Sequence, residues 1–149
     1  LNRSNALLLA CALTLGVIAA PAQAAAPAIQ LAKIFYDSPG TDRRGNASLN
    51  GEYVVIRNTT RAAVDLEGWS IADKTGYRYT FEPGQTLRPG RTLTLRTGQG
   101  DSGAGTVYWG RRAYVWNNDK DTAYVRNRSG RLVDSCSYNS SYRDWLSCL

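Results

Sequence analysis

Residues 77–96 read Tyr77-Arg78-Tyr79-Thr80-Phe81-Glu82-Pro83-Gly84-Gln85-Thr86-Leu87-Arg88-Pro89-Gly90-Arg91-Thr92-Leu93-Thr94-Leu95-Arg96, and this stretch decides the fold class. Tyr77, Tyr79 and Phe81 fall on one face, with Arg78 and Thr80 on the other. That period of two is the signature of a half-buried β-strand. Leu93 and Leu95 alternate in the same way with Thr92, Thr94 and Arg96. Between the two runs, Glu82-Pro83-Gly84 and Arg88-Pro89-Gly90 are turn signals, because Pro presets φ and Gly accepts a positive φ.

The same grammar extends in both directions. Upstream lie apolar runs at Ile29–Tyr36 and Tyr53–Ile56, a short one at Ala63–Leu66, and an alternation of Trp69 and Ile71 with Ser70 and Ala72. Downstream come Val107–Trp109, Ala113–Trp116, Thr122–Val125 and Leu132–Cys136. Each is bounded by turn chemistry such as Asp37-Ser38-Pro39-Gly40 or Asn58-Thr59-Thr60. Short alternating segments at spacings of roughly 8–12 residues predict an all-β chain folded as a β-sandwich. Helix is almost absent from this reading.

The chain has 149 residues, 18 Lys+Arg against 12 Asp+Glu, a formal charge of +6 and no histidine. The length suits one domain. Without histidine there is no Ser-His-Asp or Cys-His relay and no His-based zinc site. Three cysteines are too few for an all-Cys zinc site. No cofactor or metal is expected. Residues 1–24 have the form of a secretory signal peptide: Asn2–Arg3, an apolar run from Leu7 to Ala20, and Ala22-Gln23-Ala24 as an A-x-A cleavage site. Leu8-Leu9-Ala10-Cys11 resembles a lipobox, but most of the apolar run follows Cys11 instead of preceding it. The expected product is a secreted, extracellular domain over residues 25–149, with no membrane segment after cleavage. Loss of Arg3 leaves 17 cationic against 12 anionic residues, a charge of +5. Cys136 and Cys148 are then the only pair, and export predicts a disulfide between them that pins the C-terminal segment.

A set of short motifs runs along the chain in order. Gly51-Glu52-Tyr53-Val54-Val55-Ile56-Arg57-Asn58 leads to Val64-Asp65-Leu66-Glu67-Gly68-Trp69-Ser70-Ile71-Ala72-Asp73. Phe81, Leu87-Arg88-Pro89-Gly90 and Leu93-Thr94-Leu95 follow. Trp116-Asn117-Asn118-Asp119, Asp121-Thr122-Ala123 and Ser129-Gly130-Arg131-Leu132-Val133-Asp134 close the series. Over residues 31–138 this ordered set resembles the lamin tail domain, in the form carried by exported bacterial proteins. The resemblance implies an immunoglobulin-like sandwich and a binding or scaffolding role without catalytic residues. The chain has no coiled-coil rod, prenylation motif or nuclear-localisation run, so filament and nuclear roles do not carry over.

Within this frame, Trp69, Trp116 and Phe81 are expected in the structural core, as is usual for large aromatics in a sandwich. Glu52 and Asn58 are expected to satisfy backbone groups at strand ends and turns. Asn117, Asp119 and Asp121 have the 1, 3, 5 spacing of a calcium loop. The required Gly and the bidentate Glu are replaced by Thr122 and Arg128, so an ordinary polar turn is expected. Arg126, Arg128 and Arg131 form a candidate anion-binding set: a two-residue Ser129-Gly130 loop would set Arg128 opposite Arg131 and point all three from one face. The expected function is a secreted, non-enzymatic interaction module for a protein or an anionic polymer at the cell envelope, with weak binding of nucleic acid or cell-wall polymer within its reach. The alternative is a carbohydrate-binding module, which needs a planar row of exposed aromatics.

Overall fold

A computed structural model describes residues 26–103 and 105–149. The expected leader, including Cys11, lies outside the described residues. Eleven strands and one helical turn follow in the order β1 (Ile29–Phe35), α1 (Asn46–Leu49), β2 (Tyr53–Asn58), β3 (Val64–Asp65), β4 (Ser70–Ala72), β5 (Arg78–Thr80), β6 (Thr86–Leu87), β7 (Thr92–Arg96), β8 (Thr106–Tyr108), β9 (Lys120–Arg126), β10 (Leu132–Asn139) and β11 (Trp145–Ser147). One sheet has the order β11-β1-β2-β7-β8, a second β10-β9-β4-β5, and β3-β6 form a small ribbon. The chain is an immunoglobulin-like β-sandwich.

Period-two burial builds the core. Ile29, Leu31, Ile34, Val54, Ile56, Leu93, Leu95 and Val107 point inward from the five-stranded sheet. Ile71, Ala123, Val125, Cys136 and Tyr138 meet them from the four-stranded sheet. A one-residue bulge at Ala32 keeps both Leu31 and Ile34 facing inward, and a second at Val133 re-aims Asp134. The Asp134 carboxylate then crosses to accept the Leu31 N–H at 2.7 Å, satisfying a donor on the stretch of β1 that β11 does not reach. A charged side chain at this position also blunts the open strand edge.

Two segments depart from the sequence expectation. Ala113–Trp116 is not a strand; it is an irregular segment that buries Val115 and Trp116 as a plug at one end of the sandwich. Its alternation comes from that plugging, with the Val115 N–H held by Glu52 Oε2 at 3.1 Å instead of by a neighbouring strand. Conversely, Trp145–Ser147 adds an edge strand to β1, with Phe35 opposite Trp145 and Lys33 opposite Ser147. Cys136 on β10 and Cys148 just past β11 form a disulfide, with Cα atoms 5.9 Å apart. The bond therefore joins the edges of the two sheets. Tyr36 and Tyr138 stack beside it with ring centroids 3.8 Å apart.

A three-residue strand cannot hold itself in place, so the disulfide keeps β11 docked. Replacing Cys148 by Ser is expected to cost about 3 kcal/mol, the loop-closure value for a cross-link of this span. Hydrogen exchange followed by mass spectrometry should then show loss of protection at Trp145–Ser147, while β2 and β9 stay protected.

Candidate functional site

The arginine hairpin is built differently from the expected arrangement. The Asn127 N–H donates to Arg131 O at 3.0 Å and the Gly130 N–H to Asn127 O at 2.8 Å. Gly130 has φ +79°, so the loop has three residues, not two. Asn127, not Arg128, stands opposite Arg131. Asn127 Oδ1 favours this loop by accepting from Ser129 N, Ser129 Oγ and Arg131 N.

The three arginines consequently part company. Arg126 lies on the outer face of the four-stranded sheet, over the Tyr124 ring, and donates to Gly130 O at 3.2 Å. Arg128 sits at the tip and turns back to β3, 3.2 Å from Asp65 and 3.8 Å from Glu67. Its stem lies across Gly68, whose φ of +74° and missing side chain allow the contact; a methyl there would meet Arg128 Cγ at 3.0 Å. Arg131 lines a separate groove. Arg128 already has its anions, so the set does not form one site.

A different basic cluster forms around Asn58, the last residue of β2. Its side chain is fully buried. Nδ2 donates to Ala62 O and Leu87 O, both at 2.8 Å, and Oδ1 accepts from Thr60 N and Thr60 Oγ1. Its backbone completes the knot, with Asn58 N donating to Arg91 O and Gly90 N to Asn58 O. One side chain thus holds the 59–62 turn and the 87–91 turn together. Arg61, Arg88 and Arg91 are exposed on these turns, and Arg57 is exposed beside Asn58 on β2. Among the described residues, none of the four has a carboxylate within ion-pair distance. Arg88 and Arg91 line a groove of about 420 Å³ with Leu87 and Leu93 as its apolar wall. In the sequence, Arg88-Pro89-Gly90 reads as a turn and as part of the lamin tail motif set, not as part of a basic site. The signal lay in Asn58, which joins segments thirty residues apart.

The outer face of the five-stranded sheet extends this basic surface. Its outward charged residues are Lys33, Arg57 and Arg96, and no outward position of these strands is acidic. Register places Trp145, Phe35, Tyr53, Arg96 and Tyr108 in one row across all five strands. The rings in the middle of that row are stacked on each other: Phe35 and Tyr53 have centroids 5.1 Å apart at an interplanar angle of 21°. The Arg96 guanidinium lies 5.2 Å over the Tyr53 ring, and Lys33 Nζ is 4.1 Å over Trp145. Rings stacked on one another and capped by cations do not lie side by side as a flat surface, so the row is not a planar sugar platform.

The tryptophans divide between roles. Trp116 and Phe81 are each 2% exposed and lie in the core. Trp69 does not: it is half-buried, packed on the core on one side and open to a groove on the other. Trp109 bridges inward, with its ring 6.2 Å from Trp116 and 6.1 Å from Tyr79. Trp145 is 45% exposed. Asp121, at the fifth position of the calcium-like spacing, is buried and accepts from Thr122 N, Asn117 Nδ2, Asn117 N and Lys74 N. It pins a turn.

Glu52 is fully buried at the opposite end of β2 from Asn58. Oε2 accepts from Val115, while Oε1 and the nearby strand-end hydroxyl Thr97 Oγ1 have no hydrogen-bond partner among the described residues. Burial pushes the carboxyl up from 4.5 to about 8.

Two outcomes follow for β2. Asn58→Ala leaves the Ala62 and Leu87 carbonyls without their donor and is expected to cost about 2–4 kcal/mol in urea unfolding, whereas Arg57→Gln should be near neutral. For Glu52, the folded state keeps a proton that the unfolded chain releases. Stability is therefore greatest below about pH 4.5, declines as the pH rises to about 8 and then levels off for this group. Each pH step in that window is worth up to about 1.4 kcal/mol. Glu52→Gln should flatten the decline, as read from denaturation midpoints between pH 5 and 9.

No curated protein matches the chain. The family model described as Lamin Tail Domain matches residues 22–140, which takes in every strand from β1 to β10, the Asn58 knot and the Cys136 side of the disulfide, and leaves out β11. The chain belongs to the lamin tail domain family.

Proposed function

We propose that the protein is a non-catalytic binding module that holds an anionic polymer outside the cell. The observation that carries this is the arginine cluster around Asn58. Arg57, Arg61, Arg88 and Arg91 are gathered by a buried knot onto one surface without counter-charges, next to a sheet face that carries cations and no acids. Like charges so placed repel one another, and a polyanion relieves that repulsion while releasing its own counterions. Three arginines on two turns and a fourth at the adjoining strand end match a repeating charge better than a single small anion. The leader-like residues 1–24 and the paired cysteines support the extracellular setting. The immunoglobulin-like family supports an interaction role.

The test is retention on immobilised heparin. Replacing Arg57, Arg61, Arg88 and Arg91 together by Gln is expected to shift elution to clearly lower salt with little change in unfolding midpoint, because none of these side chains makes a hydrogen bond within the described residues. Replacing Arg126 and Arg128 should move elution much less, since Arg128 is already paired. Elution of the fourfold variant with the wild type would overturn the reading.

A further inference from the structure

Trp69 and Arg131, read from sequence as a core residue and a hairpin cation, line one groove. It has a volume of about 560 Å³ and is walled by Pro27, Trp69, Asn127, Arg131, Val133 and Asp134. The groove opens between the end of β1 that β11 does not reach and the edge strand β10. It adjoins the arginine cluster through Thr59, whose hydroxyl donates to Pro27 O at 2.6 Å and whose N–H donates to Ala28 O at 3.1 Å. Arg61 lies two residues beyond. The cluster and the groove are thus joined through the Thr59 turn.

The groove's polar groups are of mixed kind. Among the described residues, neither an ion pair nor a hydrogen bond ties down the Arg131 guanidinium; only its backbone is held, by Asn127. The Asn127 side chain bonds only through Oδ1, which leaves its Nδ2 donors without an acceptor among the described residues. Asp134 brings a carboxylate that already accepts from Leu31 N and Ser135 N. Trp69, Val133 and Pro27 are apolar. A bare anion would gain from Arg131 and lose against Asp134. A polyhydroxylated ring that bears one acidic group uses every part: its C–H face on the Trp69 indole, its anionic group in the fork of Arg131, its hydroxyls on Asp134 and Asn127.

We infer that this groove is a subsite for a single acidic sugar ring, stacked on Trp69 and charge-paired to Arg131, so that the anionic polymer is an acidic polysaccharide. The inference rests on the polymer reading and names the chemistry of its repeating unit. It needs no planar row of aromatics, because one ring is read in a groove while the remaining charges lie on Arg57, Arg61, Arg88 and Arg91.

The experiment uses the chain from residue 25 onward, with trigalacturonate as a short carboxylated probe and polygalacturonate as the long one. Maltotriose is the uncharged control and an oligothymidylate the nucleic-acid control. Trigalacturonate is expected to change the tryptophan fluorescence, and Trp69→Phe, which keeps an apolar ring, should remove that change. Arg131→Gln should weaken trigalacturonate at least tenfold, with Arg131→Lys intermediate. The fourfold arginine variant should bind the trimer like the wild type yet lose retention on polygalacturonate. If polygalacturonate binding needs the four arginines but is indifferent to Trp69→Phe and Arg131→Gln, the groove is overturned and the polymer reading stands. If the trimer needs Arg131 while the fourfold variant holds the polymer unchanged, the groove stands and the arginine cluster falls. Equal binding of maltotriose would overturn the charge pairing. Oligothymidylate binding that depends on Trp69, without trimer binding, would assign the groove to nucleic acid and overturn the sugar.

Discussion

The buried amide of Asn58 is the interaction on which the rest of the molecule depends. A strand end inside a sandwich leaves backbone carbonyls that water does not reach, and a buried polar group without a partner costs more than most packing contacts gain. Asn58 resolves this at one end of β2 with two donated and two accepted hydrogen bonds, all at 2.8 Å. Because its partners lie on both neighbouring turns, it fixes where those turns sit. The surface arginines gain their proximity from a residue that solvent never touches.

Glu52 answers the same problem at the other end of β2 with a different balance. Its carboxyl holds Val115 and so seats the Trp116 plug, but one oxygen remains without a partner. The group compensates by keeping its proton, which ties the stability of this end to pH. One strand thus carries a fully satisfied polar anchor and a half-satisfied one, with Val54 and Ile56 between them as core.

Charge is distributed by the same architecture. Several carboxylates are withdrawn into turns, caps and pairs: Asp73 closes the 73–77 turn, Asp121 pins another, Asp134 caps β1, and Asp65 and Glu67 hold Arg128. The cations on the outward strand positions and on the Asn58 turns are left uncompensated. A modest net charge therefore becomes a concentrated basic surface. The groove at Trp69 lies where that surface meets the end of β1 that β11 does not reach.

Sequence by itself determined the all-β class, most strand positions, the family, and the identity of the cysteine pair, because period two, turn residues and cysteine count are local or additive signals. It also gave Glu52 and Asn58 the right kind of work. It misassigned Ala113–Trp116, since an alternating apolar segment reads the same whether it pairs with a strand or plugs an end. It missed β11, whose pairing depends on the bond from the adjacent Cys148 to Cys136, twelve residues earlier. It grouped Arg126, Arg128 and Arg131 by a two-residue loop, whereas one bulge residue, Gly130, and the acids Asp65 and Glu67 sent them to three places. The cluster of Arg57, Arg61, Arg88 and Arg91, and the meeting of Trp69 with Arg131, were decided by tertiary structure alone. Both depend on hydrogen bonds between segments far apart in the chain, and a side chain's neighbours across such a distance are not encoded in its own neighbourhood of sequence.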